Sequence, residues 1–221
     1  ALGRLSGPRR GGQQPHRQRV ADYGDHLAAG AVWIAEQSFF SRRTLTHLLL
    51  GGVFERFPNL RLVLTEQGSS WIPQTLAQLD GIHEHMKLGR IGELKYSEEE
   101  ILPLAPSEYF HRNVWVGASF PSRVEADTRH EIGLDHYLWG SDYPHYEASY
   151  PYTRELLRKA FAGTDPAELQ QVLAGNAAEL YGFDLDALAP IAAEHGPTVA
   201  EIDVPLDTIP PDATSPGFHR P

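Results

Sequence analysis

Three short apolar runs alternate with longer amphipathic segments along the chain. The runs occupy residues 60–65, 113–118 and 137–141, and turn-forming residues bound them. An apolar run of this length between turn residues predicts a strand that is buried on both faces. Because helical patterns lie between and after the runs, the sequence predicts an α/β fold in which helices cover a parallel sheet.

Helical spacing of the apolar residues predicts six helices. Ser41 is a candidate N-cap of the first helix, and Gly51-Gly52 within it predicts either close packing or a break. Gly182 follows the last helix, in the position of a C-cap residue. The predicted helices cover residues 41–57, 73–87, 122–132, 152–161, 166–173 and 176–181.

Local composition divides the chain into three parts. Residues 1–20 are rich in Arg, Gly, Gln and Pro, which predicts an irregular N-terminal arm. Residues 21–189 carry the α/β pattern, and residues 190–221, rich in Pro, Asp and Thr, predict an extended tail. A closed eight-stranded α/β barrel usually needs about 250 residues. Three clear strands therefore predict either a small open sheet or the C-terminal part of a larger, incomplete barrel.

The overall composition narrows the classes of function. With 41% hydrophobic and 22% charged residues, the chain of 221 residues can bury a core. Its net charge of −10 argues against nucleic acid and anionic membranes as partners. The lack of cysteine excludes disulfides, a thiolate nucleophile and cysteine-based zinc sites. The sequence shows neither a membrane span nor a secretory signal, so we expect a cytoplasmic protein.

Polar residues follow each predicted strand at the edge where parallel α/β folds bind ligands. Glu66 follows the first strand, Ser119 the second, and Asp142 and His145 the third. A carboxylate at the position of Asp142 suits a divalent metal or a proton relay, but aspartate also commonly caps turns. Glu66 fits a functional carboxylate and a salt-bridged structural one equally well.

Motifs of several common enzyme classes are missing from the sequence. It has no Gly-rich phosphate loop, no G-x-S-x-G elbow and no His-Glu-x-x-His. NTPase, dinucleotide-binding, esterase and zincin functions therefore lack support. His26 lies in a turn-forming stretch that leaves its role open.

Three runs, taken in order, resemble the C-terminal half of the amidohydrolase-related family, which includes amino-carboxymuconate-semialdehyde decarboxylase and resorcylate-type decarboxylases. The first run is GGVFERFPNL at residues 51–60, followed by VLTEQG at 63–68 and WIP at 71–73. The second is WGSDYPH at residues 139–145, and the third is GNAAELYGF at residues 175–183. The resemblance covers about residues 21–185.

The resemblance implies a (β/α)₈ barrel with a divalent metal, most often zinc, at its C-terminal mouth. The three predicted strands would be strands six, seven and eight, and Asp142 would be the eighth-strand metal ligand or the partner of the metal-bound water. Glu66 stands where relatives commonly carry a catalytic His, so Glu66 and Asp142 are the catalytic candidates. The nearest candidate for the fifth-strand metal ligand is His16.

Three further residues are candidates for binding substrate. His145 and Trp71 lie beside the carboxylate candidates in the sequence, and His26 lies in a turn upstream of them. These three residues are the predicted substrate-pocket residues. A small molecule is the expected partner, and association between copies of the chain is a further expectation because half a barrel exposes strand edges.

The expected function is therefore a metal-dependent hydrolase or non-oxidative decarboxylase of a small carboxylic substrate, in truncated form. No His-x-His lies on a leading strand, so we expect the chain alone to bind zinc no tighter than micromolar and to be inactive. One alternative is a non-catalytic fragment or remnant of such an enzyme. Another is a metal-free glycosidase that uses Glu66 and Asp142 about 5 to 10 Å apart.

Overall fold

The computed structural model describes residues 23–220, so the arm predicted for residues 1–20 lies outside the described residues. The described residues divide into two compact units, one up to residue 37 and one from residue 38 onward. In the first unit, a turn precedes the start of helix α1 (Ala29–Leu50), and the Tyr23 hydroxyl donates a hydrogen bond to Glu36 Oε2 at 2.8 Å. The part of α1 from residue 38 onward and all remaining elements belong to the second unit.

A three-stranded parallel sheet is the centre of the second unit. Its strands are β1 (Leu62–Thr65), β4 (Val114–Ser119) and β5 (Tyr137–Gly140), in the order β1-β4-β5. Leu62 pairs with Val114 across the first ladder, and Ser119 pairs with Gly140 across the second. The three predicted strands and their parallel pairing are confirmed, and all three carboxyl ends lie at one edge of the sheet.

Helices follow or precede each strand, as the sequence predicted. A short antiparallel hairpin, β2 (Arg90–Ile91) with β3 (Leu94–Lys95), interrupts the pattern and was not predicted. A π-helical turn at Gln171–Gly175 joins the eighth and ninth helices. The helices after α1 are α2 (Val53–Arg56), α3 (Ile72–Lys87), α4 (Pro106–Asn113), α5 (Arg123–Asp127), α6 (Arg129–Ile132), α7 (Thr153–Phe161), α8 (Pro166–Gln170), α9 (Asn176–Tyr181), α10 (Leu185–His195) and α11 (Val199–Ile202).

The first helix differs from its prediction at one end and agrees at the other. It begins at Ala29, so Ser41 lies inside the helix and the predicted N-cap is wrong. The break at Gly51-Gly52 is confirmed: α1 ends at Leu50, and Gly52 has a φ of 67°, a left-handed conformation that glycine adopts without steric cost. The chain can therefore turn sharply into α2 before β1.

The hydrophobic core lies between the sheet and its covering helices. Strand residues contribute Leu64, Val116 and Tyr137, and the helices contribute further buried side chains. Burial alternates along β4, so one face of this strand is buried and the other is half-buried. Burying one such side chain contributes about 1.5 to 3 kcal/mol relative to leaving it in water. The helix residues in this core include Leu45, Leu49, Ile72, Leu76, Phe110, Leu157, Phe161 and Leu169.

The segment predicted as an extended tail, residues 190–221, has a different structure. Its predicted boundary falls inside α10, and the segment contains α11 and a 3₁₀ turn at Pro216–Phe218. Ile202 and Phe218 are each only 2% exposed, because Ile202 joins the main core and Phe218 packs with Phe120 and Leu156. Within residues 23–220, no helix combines the length and apolar character required to cross a membrane.

Candidate metal centre

Each strand of the parallel sheet is followed by a residue with unusual backbone geometry. Glu66, Phe120 and Asp142 have φ values of 62°, 36° and 61°, and within residues 23–220 they are the only non-glycine residues with positive φ. A left-handed conformation costs an ordinary residue about 1 to 2 kcal/mol. Such strain persists only where the surrounding structure imposes it, and it concentrates at functional sites.

The structure brings three of the sequence-predicted site residues together at this edge. Glu66, Asp142 and His145 each offer one ligand atom, and these atoms lie within 4.8 Å of one another. The Asp142 side chain is only 8% exposed, whereas the His145 side chain is 54% exposed. The cluster therefore combines one nearly buried carboxylate with two groups that solvent and ligands can reach.

A direct hydrogen bond connects Asp142 and His145. Nδ1 of His145 lies 3.1 Å from Oδ1 of Asp142, and the His145 backbone N–H donates to the Asp142 carbonyl at 3.0 Å. The turn from Asp142 to His145 thus brings the two side chains into contact, although Pro144 lies between them.

The acidic surroundings of His145 favour its protonated form. The hydrogen bond to Asp142 is the main cause that raises the pKa of His145 above its ordinary value, and the charge of Asp142 adds to it. The carboxylates of Glu147 and Glu66 raise this pKa further, while desolvation opposes the change. The site therefore attracts positive charge, either as a proton on the imidazole or as a bound cation.

The donor set of the cluster fits a divalent cation. Zinc binds carboxylate oxygen and imidazole nitrogen at about 2.0 to 2.2 Å in tetrahedral geometry, so two ligand atoms on one ion lie about 3.5 Å apart. The observed limit of 4.8 Å therefore requires a movement of up to about 1.3 Å. Glu66 and His145 are exposed and can make that movement without disturbing the core.

Trp71 supports the loop that carries Glu66. Its indole Nε1 donates a hydrogen bond to the Gln67 carbonyl at 3.0 Å, and Trp71 itself precedes α3. Gly68, with a φ of 65°, lies against Glu125, since a Cβ at Gly68 would meet Glu125 Oε1 at 2.7 Å. The contact of Trp71 in this structure is thus with the loop backbone, and its role in a substrate pocket stays a prediction.

The other predicted histidines are not part of the described cluster. His26 is exposed in the turn before α1, within the first unit, and its role as a pocket residue stays a prediction. His16 lies outside the described residues.

Sequence reasoning missed the structural role of Asn176 at the start of β5. This side chain is 3% exposed, and its Nδ2 donates to the carbonyls of Leu134 and Tyr137 at 2.7 and 2.6 Å. Asn176 therefore ties α9 to the start of β5, the strand that leads to Asp142. The signal was present in the run GNAAELYGF, where Asn176 was interpreted only as the first residue of a helix.

The strain at Glu66 predicts an unusual order of stability for two substitutions. Both Glu66→Gly and Glu66→Ala remove the carboxylate, but only glycine relieves the left-handed conformation. Relief of the strained backbone stabilises the glycine variant, whereas the greater entropy of glycine in the unfolded chain destabilises it. The first effect is larger, so we expect Glu66→Gly to be more stable than Glu66→Ala by about 0.5 to 1 kcal/mol. Urea unfolding followed by circular dichroism measures this difference.

The same pair of substitutions at Glu179 is the matched control. Glu179 is exposed inside α9, where glycine is less favourable than alanine by about 1 kcal/mol. The order of stability should therefore reverse between the two positions. If the alanine variant were more stable than the glycine variant at both positions, the backbone at Glu66 would not be strained.

Comparison with known proteins agrees with the α/β fold. A protein-family model described as amidohydrolase matches residues 15–183. An amidohydrolase from Mycobacterium avium subsp. paratuberculosis K-10 has a similar structure, with a TM-score of 0.55 and 22% identity over 68% of this chain and 35% of its own. The present chain thus spans about a third of that protein's length.

A second solved structure has a weaker similarity. It is a dihydroxybenzoic acid decarboxylase from Polaromonas sp. JS666 with bound manganese and the inhibitor 2-nitroresorcinol. Its TM-score is 0.49 and its identity is 18%, over 72% of this chain and 48% of its own. No curated protein matches the sequence.

The family match includes all three strands of the parallel sheet and all three residues of the cluster. It also contains the three sequence runs on which the resemblance rested. Since the match extends over well more than half of the chain, this protein belongs to the amidohydrolase family.

Proposed function

We propose that Glu66, Asp142 and His145 form the divalent-metal site of a hydrolase or non-oxidative decarboxylase that acts on a small carboxylic substrate. The observation that carries this proposal is the convergence of the three side chains at the carboxyl edge of a parallel sheet. Active sites of α/β barrels are built at this edge. Membership of the amidohydrolase family supports the class of reaction.

The three side chains have different parts in this proposal. A bound divalent ion would polarise the substrate or activate water. Asp142, nearly buried, would be the central ligand, and its contact with His145 fixes the orientation of the imidazole. Glu66, which is exposed, would bind the ion from the end of β1, on the other side of β4 from Asp142, and exchange a proton with the substrate.

Two carboxylates and one imidazole do not select a single metal. The resemblance favours zinc, which accepts all three ligands, but carboxylate oxygens also suit manganese. We therefore propose a divalent cation, with zinc as the first candidate and manganese as the second.

We also propose that β1, β4 and β5 correspond to strands six, seven and eight of a (β/α)₈ barrel. Within residues 23–220, the outer edges of β1 and β5 have no strand partner, as expected for part of a barrel. The further strands of a barrel, or a second copy of the chain, could pair with these edges.

The two alternative functions are not favoured. In the glycosidase alternative, Glu66 and Asp142 would lie about 5 to 10 Å apart, whereas their ligand atoms lie within 4.8 Å. The family match also argues against a glycosidase. A non-catalytic remnant has no need of three converging ligand side chains, two of them on strained backbone.

Calorimetric titration with zinc and with manganese tests the proposed site. We expect one site per chain with a dissociation constant of about 1 μM or weaker, because two of the three ligand groups are exposed and the three ligand atoms must move closer together to bind one ion. Asp142→Asn should weaken binding at least about tenfold, since it removes the charge of the central ligand while keeping its shape. Glu66→Gln should also weaken it.

Asp186→Asn is the matched control, because Asp186 is exposed on α10, away from the cluster in the sequence. This variant should bind both metals as the unmodified protein does. Equal affinities for Asp142→Asn and the unmodified protein would overturn the proposed metal site. A submicromolar site would instead contradict the expectation of weak binding by this chain.

A further inference from the structure

The last residues described by the structure form a strap over the elements that follow β4 and β5. We call residues 212–220 the C-terminal strap. The Tyr152 hydroxyl donates a hydrogen bond to Asp212, and the Thr214 hydroxyl donates to the carbonyl of Tyr146 at 3.3 Å. Since Tyr146 belongs to the loop that carries Asp142 and His145, the strap is attached directly to the loop of the candidate site.

A partly buried lysine fixes the end of the strap. The ammonium group of Lys159 donates to the backbone carbonyls of Gly217, Phe218 and Arg220, at 3.0, 3.0 and 2.7 Å. Phe218 is 2% exposed and packs with Phe120. These contacts fix the backbone position of Arg220 although it lies close to the end of the chain.

The side chain of Arg220 lies at the same edge of the sheet as the metal ligands. Its guanidinium carbon lies 5.3 Å from the centre of the Phe120 ring, over the ring. Phe120 directly follows β4, the central strand, so it stands between the strand ends that carry Glu66 and Asp142. The cation–π contact holds Arg220 at this edge without using its N–H donors.

Among the described residues, the guanidinium of Arg220 donates one hydrogen bond, so its other N–H donors can bind a ligand. Within the described part of the chain, its one ion pair is with Glu125, and the Nη1–Oε2 distance is a long 3.5 Å. Glu125 Oε2 also accepts a hydrogen bond from the Ser122 backbone N–H at 3.1 Å. Arginine carries five N–H donors in a planar fork that matches a carboxylate, and the Arg220 side chain is 43% exposed.

An anionic substrate at this site needs a positively charged partner. Glu66 and Asp142 lie together with His145 in the cluster, and their negative charges repel an anionic substrate. We propose that Arg220 binds the carboxylate of the substrate and so determines specificity for carboxylic acids. This inference rests on the proposed function, because it assumes that a small carboxylic substrate binds at this edge.

Another arginine, Arg42, is the strongest competitor for this role. Its guanidinium carbon lies 5.5 Å from the centre of the Trp71 ring, next to the loop that carries Glu66. Arg42 is exposed on α1, and Trp71 lies at the start of α3. A test must therefore distinguish Arg220 from Arg42.

Benzoate and its neutral analogue benzamide are suitable probes, because they share a ring and differ in charge. Titrations of the full chain in EDTA, followed by ligand-observed NMR, measure both affinities without metal. We expect Arg220→Gln to weaken benzoate binding at least about tenfold and to leave benzamide binding unchanged. Arg220→Lys should be intermediate, since an ammonium keeps the charge but lacks the planar fork.

Arg42→Gln and Arg90→Gln are the controls, and both should bind benzoate as the unmodified protein does. Arg90 lies in the separate β2–β3 hairpin. The inference is overturned if Arg220→Gln keeps its benzoate affinity, if Arg42→Gln loses it instead, or if the unmodified protein binds no benzoate. A failure of metal binding alone would overturn the proposed function and not this result, because the benzoate titrations contain no metal.

Discussion

Replacing Asn176 with alanine is expected to lower the free energy of unfolding by about 3 kcal/mol. The amide of Asn176 donates to two carbonyls, of Leu134 and Tyr137, at a position that is 3% exposed. Alanine leaves both acceptors without this donor, and a buried unsatisfied group costs about 1 to 3 kcal/mol. Urea unfolding followed by circular dichroism measures the loss.

Asn176→Asp distinguishes hydrogen bonding from packing at this position. Aspartate has nearly the shape of asparagine, but its carboxylate cannot donate to the two carbonyls. We therefore expect Asn176→Asp to be at least as destabilising as Asn176→Ala. The control is Asn59→Ala at an exposed position, which should change stability by less than about 0.5 kcal/mol. A small effect at both positions would show that the amide of Asn176 does not hold β5 in place.

The strands could be predicted because their signal is local and strong. Each of the three apolar runs overlaps an observed strand, and the boundaries of run and strand differ by at most two residues. The parallel direction of the strands follows from the helices between them. The hairpin β2–β3 could not be found in this way. Its strands have two residues each and are largely exposed, so no alternation of apolar and polar residues exists to detect.

Helix boundaries were harder to predict where apolar residues stay exposed. The first half of α1 contains Trp33, Ile34 and Phe39, which are 44%, 63% and 54% exposed. Their positions follow no single buried face, so periodicity located only the second half, where Leu45 and Leu49 are buried. The same reason applies to α10, in which no residue is buried.

The candidate site was partly predictable because strand ends are predictable. Glu66 and Asp142 could be identified from their places after apolar runs, and the structure brings them together with His145. The C-terminal strap could not be identified, because its anchors are long-range contacts. Lys159 and Phe218 reach partners that neither composition nor periodicity reveals.

An ion pair connects Arg129 of α6 with Glu168 of α8. We expect that replacing its acidic residue lowers the free energy of unfolding more than replacing its basic residue. Arg129 is 5% exposed in its side chain, and its Nε and Nη2 donate to Glu168 Oε2 at 3.2 and 3.1 Å. Within residues 23–220, Glu168→Met leaves this buried guanidinium with only the exposed Asp127 as an ionic partner, at 3.1 Å. Breaking a buried ion pair costs about 3 to 5 kcal/mol, and because Asp127 remains we expect about 3 kcal/mol.

Arg129→Met should cost less, about 1 kcal/mol, because it deletes the buried charge and keeps most of the apolar volume. The carboxylate of Glu168 is 28% exposed and can be solvated by water once its partner is lost. The double variant Arg129→Met with Glu168→Met should then be more stable than Glu168→Met alone. Urea unfolding of the three variants measures this order. A larger loss for Arg129→Met than for Glu168→Met would show that the guanidinium itself, with its hydrogen bond to the Ala126 carbonyl, stabilises the fold more than its burial costs.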